Sequence, residues 1–450
     1  MATEDLFIVA IELGSSNVTG IAGKKMPDGT ITIQAVVQEP SSMFIRRGVI
    51  FNLTKSAQCI NSIKERIEER LKRKITQVYV GYGGQGIHSI FNNISRPLGG
   101  EVPISKEIVE ELEEENLKRD AGNHTILDVV PQSYLAGNEI VLDPEGVIAD
   151  NVEARFMNII ARPALKSNIE SCFNEASLHI AGCMLTPVSE AKILMTDSEK
   201  RSGCVLVDFG ADTTSVVVFK ENILRYIAVI PLGSANVTKD IESCQLDELE
   251  AESLKIKFGS ATNEIATIEE GKESIYNFPD GSILSKQKFS EIVEARMKEI
   301  LVNVANQIKE SGIEKSALIG GAILTGGGSS MKNILSAFTK TTGISQVRIV
   351  RSISNAVFAK TSGPKEVEGK YIGAISILDE GTQNCCGTEY SDTDKGIFNP
   401  DVKTEPQTSD KDKEGEPQKK EEKKPKGPGF FKRLSDKLQN IGTTIIGEDE

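Results

Sequence analysis

Two hydrophobic rhythms run through this chain, one strand-like and one helical. "VAIELGSSNVTGI" (Val9 to Ile21) and "VLVDFGADTTSVV" (Val205 to Val217) follow one plan. An apolar strand leads to a carboxylate, one apolar residue, a glycine, three small or polar residues and a second strand. Each is followed by a third β-rich run, "TITIQAVV" from Thr30 and "ILRYIAVIP" from Ile223. Each half is therefore predicted to open as a three-stranded meander. Glu12 falls on Asp208 and Gly14 on Gly210, which points to two related lobes rather than two unrelated hairpins.

Helical spacing fills the intervals. Ile60, Ile63, Ile67 and Leu71 share one face, as do Phe289, Ile292, Val293, Met297, Ile300, Leu301 and Val304; these are core stripes. From about Gly84 to Pro163 lies a separate module, with an acidic helix beginning near Ser105 and extended runs "ILDVVPQSYLA" and "RFMNIIARP". "ALIGGAILTGGGSSMKNILSAF" predicts a strand to Thr325, a glycine run, then a helix from about Ser329 with Met331, Ile334, Leu335 and Phe338 inward. "GKYIGAISIL" (Gly369 to Leu378) reads as a last packed helix. Beyond it the sequence is so polar that folding is expected to stop near Asp379, because too little apolar surface remains to offset chain entropy.

Composition narrows the function. A chain of 450 residues exceeds what one core supports, so two or more lobes are expected. A net charge of −13 argues against a nucleic-acid partner, which needs concentrated basic surface. Acidic residues at the N-terminus and a run broken by Glu12 do not resemble a signal peptide, and no window approaches the ~18 apolar residues of a spanning helix; a cytoplasmic protein is expected. Seven scattered cysteines without CxxC spacing read as reduced thiols, mostly core filler. His88, His124 and His179 read as isolated structural or surface residues.

The chemistry lies in the repeated hairpins. A carboxylate before a tight glycine turn surrounds a concave anion site with backbone N–H groups, and two such turns facing each other can clasp a polyphosphate. Ser15, Ser16, Asn17, Thr213 and Thr214 add donors. Glu12 and Asp208 would repel phosphates unless a cation intervenes, which implies Mg2+ held largely through water. Alone, either hairpin is an ordinary β-turn; the pair favours phosphate. Gly326, Gly327 and Gly328 at a helix start suit close approach by phosphate or ribose, though they form neither GxGxxG nor a P-loop.

These motifs resemble the actin-like ATPase superfamily and, across essentially the whole folded part, the FtsA family of bacterial cell-division proteins. "IPLGSANVTKDI" from Ile230, "ESLKIKFGSA" from Glu252 and "VVPQSY" in the inserted module extend the likeness. The resemblance implies a duplicated α/β actin-like fold of two lobes with an inserted α+β subdomain, a disordered linker and a C-terminal amphipathic helix. The first lobe would comprise 1–83 and 164–202, the inserted subdomain 84–163, and the second-lobe core 203–235 and 315–380. Its smaller subdomain would be 236–314, the linker 381–427 and the membrane helix 428–447. It further implies ATP with Mg2+ in the cleft, Glu252 and Lys255 beside the adenosine, and Gly233 near the phosphates. Partners would be the FtsZ C-terminal peptide, with Arg296 as a basic contact or merely a solvated charge, further copies of the chain in a filament, and other division proteins. Many relatives carry a second loop like DxGGGT, whereas this chain reads Asp208-Phe209-Gly210-Ala211-Asp212-Thr213. Ala211 and Asp212 crowd or repel a γ-phosphate, so the expectation is a nucleotide-regulated polymer with at most weak ATPase activity. A pilus-assembly relative, or a chaperone or kinase of the superfamily, remains the alternative.

The end of the chain is amphipathic. Phe430, Phe431, Leu434, Leu438, Ile441 and Ile445 recur at helical spacing, with Lys432, Arg433 and Lys437 between them. Such a helix would be about 25 Å long, too polar to span and suited to an anionic inner-membrane surface. Docking on protein is the competing reading. The long polar stretch before it favours an anchor, and the resemblance implies that this anchor lies on the cytoplasmic face of the inner membrane at the division site; the acidic end Glu448-Asp449-Glu450 implies weak attachment strengthened by avidity.

Overall fold

The computed structural model describes residues 6–27, 29–119, 121–262, 275–278, 283–353, 356–359, 369–389 and 443–444. β1 (Phe7–Leu13), β2 (Asn17–Lys25) and β3 (Ile31–Pro40) form the expected antiparallel meander. A short hairpin of β4 (Ile45–Arg46) and β5 (Val49–Ile50) follows. Asn52 then starts α1 (Leu53–Leu71) by accepting a hydrogen bond from the Lys55 N–H at 3.1 Å, a side-chain cap for an orphan donor. Its Ile60, Ile63 and Ile67 are buried, while Leu71 is only half-buried. After β6 (Arg73–Ile75), β7 (Gln77–Tyr82) runs parallel to β1.

The inserted module comprises β8 (His88–Pro103), α2 (Lys106–Leu117), β9 (Thr125–Ala136), β10 (Glu139–Val141) and β11 (Ile148–Ala161). It has its own core around Ile94, Leu112, Val152 and Phe156. The chain then returns through α3 (Pro163–Glu175), β12 (His179–Leu185), α4 (Thr186–Leu194) and α5 (Asp197–Ser202).

The second meander, β13 (Cys204–Phe209), β14 (Thr214–Lys220) and β15 (Ile223–Ile230), repeats the first. Next come α6 (Ser234–Glu242), α7 (Glu248–Phe258), β16 (Ile275–Asn277), β17 (Ile283–Ser285) and the long α8 (Lys286–Glu310). β18 (Gly321–Thr325) lies parallel to β13 as β7 does to β1, so the duplication holds in topology as well as sequence. α9 (Ile334–Thr342) and β19 (Val347–Ile349) complete this lobe. β20 (Ala356–Phe358) joins the first lobe's sheet beside β3, and α10 (Ile372–Glu380) follows.

Six strands in the order β12-β7-β1-β2-β3-β20 build the first lobe's sheet. A nine-stranded sheet carries the second lobe and, beyond β15, the inserted module. The module is inserted in the first lobe's sequence but leans on the second lobe in space. His88 of β8 pairs with Ala228 of β15, and Gln132 Nε2 donates to the Leu224 carbonyl at 3.0 Å. Both faces of β13 are covered: Cys204 and Leu206 join the first lobe's core, while Val205, Val207 and Phe209 face the second lobe's own core. A continuous apolar run is what a strand buried on both faces requires.

Several details depart from the sequence expectations. α9 begins at Ile334, after a 3-10 turn over Gly327–Ser330, because Asn333 stands in the left-handed region at φ 59° and interrupts helical geometry. Leu335 is consequently turned outward, 38% exposed. The folded chain also continues past Asp379. Cys385 is fully buried with its N–H donating to the Phe7 carbonyl at 2.7 Å, and β21 (Cys386–Glu389) pairs with β6. His88 and His124 are not isolated; their rings meet edge to face at 5.6 Å. β22 (Thr443–Thr444) is extended and pairs with β16, so these two residues lie in a strand, as β-branched threonine favours. The remainder of the expected linker and amphipathic helix, including Phe430, Phe431, Lys432, Arg433, Leu434, Lys437, Leu438 and Ile441, lies outside the described residues. No helix among the described residues is long and apolar enough to cross a membrane.

Candidate functional site

The two hairpin turns are built alike. The Gly14 N–H donates to the Asn17 carbonyl at 3.1 Å, and the Gly210 N–H to the Thr213 carbonyl at 2.9 Å. Each turn follows the strand end that carries a carboxylate, Glu12 on β1 and Asp208 on β13. Ser15 and Ser16 brace the first turn rather than standing free: the Gly48 N–H donates to Ser15 Oγ at 2.8 Å, and the Ser41 N–H to the Ser16 carbonyl at 3.0 Å. Asn17 Nδ2 donates to Ser16 Oγ at 3.1 Å. On the second lobe, Thr214 Oγ1 donates to the Leu232 carbonyl at 2.8 Å, fixing the strand that follows the turn.

Helix α6 closes on that second turn. Its Ser234 N–H donates to the Gly210 carbonyl at 2.9 Å and its Ala235 N–H to the Ala211 carbonyl at 2.7 Å. Gly233 permits this approach, since a Cβ there would lie 2.4 Å from the Ala211 oxygen. These two N–H groups are therefore spent on the loop, and Gly233 shapes the site from behind.

The glycine run after β18 divides by task. Gly326 has φ +81°, and a Cβ on it would sit 2.2 Å from Asp208 Oδ1. Gly328 packs against Phe209, with a Cβ position 2.9 Å from the Phe209 Cβ. A Cβ on Gly327 would meet nothing within 4 Å, so it alone of the three faces open space. On α7, Lys255 Nζ lies 2.6 Å from Glu252 Oε2, and it donates to Thr238 Oγ1 at 2.9 Å and the Ser234 carbonyl at 3.2 Å. With Thr238 and Ser234 of α6, the buried Lys255 and half-buried Glu252 tie α7 to α6.

Between the turns the structure gathers three carboxylates, Glu190 buried and Glu12 and Asp208 half-buried. Burial and the nearby Asp208 raise Glu12 to about 7, opposed by a hydrogen bond from the Ala374 backbone at the start of α10. Burial raises Asp208 to about 6. Glu190 of α4, only 4% exposed, is raised well above the usual carboxylate range by burial, then by Asp208 and Glu12. Glu190 Oε2, Thr186 Oγ1 and Thr325 Oγ1 are buried without a hydrogen-bond partner. Acids crowded together and desolvated resist ionisation, which is why all three are shifted upward. Glu190 and Thr186 were absent from the sequence reading. The signal was "TPVSEAKIL", where Thr-Pro opens a helix and a lone acid sits among apolar positions.

Arg296 on α8 is already engaged. Its Nε and Nη2 reach the two carboxylate oxygens of Asp240 at 2.5 and 2.9 Å, and Nη1 pairs with Glu299. Asp240 raises its already high pKa further. Among the described residues, no three His, Cys, Asp or Glu side chains converge tightly enough to hold a metal ion directly.

Comparison with known proteins places this geometry. The family described as "Cell division protein FtsA" matches residues 205–364. Cell division protein FtsA of Porphyromonas gingivalis is 30% identical over 419 residues, covering 90% of this chain and 84% of that protein. The Escherichia coli K12 protein of the same name is 28% identical over 366 residues, covering 77% and 84%. A solved chain of the PilM-PilN type IV pilus biogenesis complex superposes with a TM-score of 0.58 at 18% identity, covering 82% of this chain and 97% of that one. That last likeness speaks to the fold alone. Duplicated meanders, paired glycine turns and near-full-length similarity agree: this chain belongs to the FtsA family of cell-division proteins, on the actin-like fold.

Proposed function

We propose that this cell-division protein clasps ATP with Mg2+ between its two glycine turns, polymerises on the cytoplasmic face of the inner membrane, and tethers FtsZ there through its C-terminal segment. The observation that carries the nucleotide reading is the group of Glu12, Asp208 and the buried Glu190 between two matching turns. Their oxygens form a hard donor set suited to Mg2+, and Glu12 and Asp208 would hold the ion through water. A bound Mg2+ would supply the positive charge that lets these acids ionise beside phosphates.

The chain's own residues do the rest. Ser15, Ser16, Asn17 and Thr213 would line the phosphates on either side, while the buried Thr214 holds the second turn from behind through its bond to the Leu232 carbonyl. Gly326, Gly327 and Gly328 leave room for the nucleoside, with Gly327 open toward it. Glu252 and Lys255 keep the adenosine side rigid. Glu190 Oε2, without a protein partner, is available to a water molecule. A crowded second loop is consistent with at most weak hydrolysis.

Two experiments test this reading. Calorimetric titration with ATP and Mg2+ should show affinity reduced at least about tenfold in Asp208→Ala and in Gly327→Glu, equivalent to ~1.4 kcal/mol. Unchanged affinity in both would remove the cleft as the nucleotide site. Co-sedimentation with anionic liposomes should separate the full chain from one ending at Glu389 and from Leu434→Glu. Equal sedimentation of all three would remove the membrane anchor.

A further inference from the structure

Asp212 lies in the second glycine turn, and the sequence casts it only as an obstacle to phosphate. The structure gives it a partner. Its Oδ2 accepts a hydrogen bond from the Arg47 N–H at 2.9 Å, across 165 residues of sequence and from one lobe to the other.

Both ends of this contact are hydrogen-bonded into their own lobes. On the second lobe, the loop is closed by the bond from Gly210 to Thr213 and pinned by α6 through its Gly210 and Ala211 carbonyls. On the first lobe, Arg47 stands at φ 50° and Gly48 at φ 74°, successive left-handed residues between β4 and β5. The Gly48 N–H donates to Ser15 Oγ at 2.8 Å, and the Arg47 carbonyl accepts from the Gln85 N–H at 2.9 Å. Arg47 Nη1 also reaches Gln85 Oε1 at 3.3 Å. The Arg47–Gly48 segment is thus bound directly to the first phosphate turn, so the Asp212 carboxylate ties one turn to the other. A charge-assisted bond between two braced loops resists separation better than one between mobile side chains.

We propose that Asp212 is a latch joining the two phosphate turns, and that its charge makes it the residue that sets the preference between nucleoside diphosphate and triphosphate. This rests on the nucleotide reading above. A terminal phosphate arriving between the turns adds negative charge beside Asp212 and competes for the N–H groups the latch draws together. A diphosphate adds less charge and leaves the latch closed. Glycine at this position would carry neither the bond nor the repulsion.

Two substitutions separate the bond from the charge. Asp212→Asn keeps an oxygen acceptor for the Arg47 N–H and removes the charge; Asp212→Ala removes both. Hydrogen exchange of the full chain without nucleotide, read in a peptide spanning residues 43–50, should accelerate about tenfold in Asp212→Ala and stay near wild type in Asp212→Asn. Unchanged exchange in Asp212→Ala overturns the latch. Titration with ADP and with a non-hydrolysable ATP analogue, each with Mg2+, should then shift toward triphosphate about tenfold in Asp212→Asn. An unaltered ratio in Asp212→Asn overturns the selectivity. Absence of binding to either nucleotide in wild type overturns the nucleotide reading and the selectivity together, while the exchange result still decides the latch.

Discussion

Glu12 shows how much one residue's meaning depends on neighbours remote in sequence. Raised from the ordinary carboxylate range to about 7 by burial and by Asp208, it keeps its proton in the folded chain under conditions where the unfolded chain has lost it. The stability this contributes is present below about 4.5 and is lost as pH rises through about 7, of order 3 kcal/mol for the full shift. The chain without nucleotide or Mg2+ is therefore expected to melt at lower temperature at pH 7.5 than at pH 5.5, and Glu12→Gln should flatten that slope in a thermal scan. Arg296 belongs to the same scale. Because Asp240 occupies its guanidinium, the proposal that Arg296 receives an acidic FtsZ C-terminal peptide predicts that Asp240→Asn raises affinity for that peptide several-fold and that adding Arg296→Ala abolishes the gain. Equal affinity in both variants would return Arg296 to a purely structural tie between α6 and α8.

At the scale of elements, the turn after β18 separates folding from binding within three consecutive glycines. Gly326→Ala drives a Cβ toward Asp208 in a left-handed backbone and should cost about 2–4 kcal/mol in a denaturant melt. Gly327→Ala meets nothing within 4 Å and should cost less than about 1 kcal/mol, while any larger side chain there should weaken nucleotide binding. Both meanders, α1, α2 and α8 were legible in the sequence, because period-two and 3.6-residue patterns are local signals. The start of α9 was not: Asn333 adopts a left-handed conformation that nothing in its neighbours announces. β21 was missed for a related reason. Its stabilisation comes from β6 and Phe7, more than 300 residues earlier, so local polarity concealed a packed segment.

For the whole molecule, the fold's limit and the insertion's position matter most. A chain ending at Asp379 loses the buried Cys385 and Cys386 along with the β21–β6 pairing, and its melting temperature should fall several degrees below that of a chain ending at Glu389. Indistinguishable melts would mean that the strand contributes nothing to the fold. By itself the sequence determined the duplication, the strand and helix pattern and the paired carboxylate-glycine turns, since each is written in contiguous residues. Only the tertiary structure decided that Glu190 joins Glu12 and Asp208, that the inserted module leans on the second lobe, and that Asp212 reaches Arg47. Those facts depend on which distant surfaces come together when two apolar sheets bury their faces, and burial is what lifts the three acids above the ordinary carboxylate range.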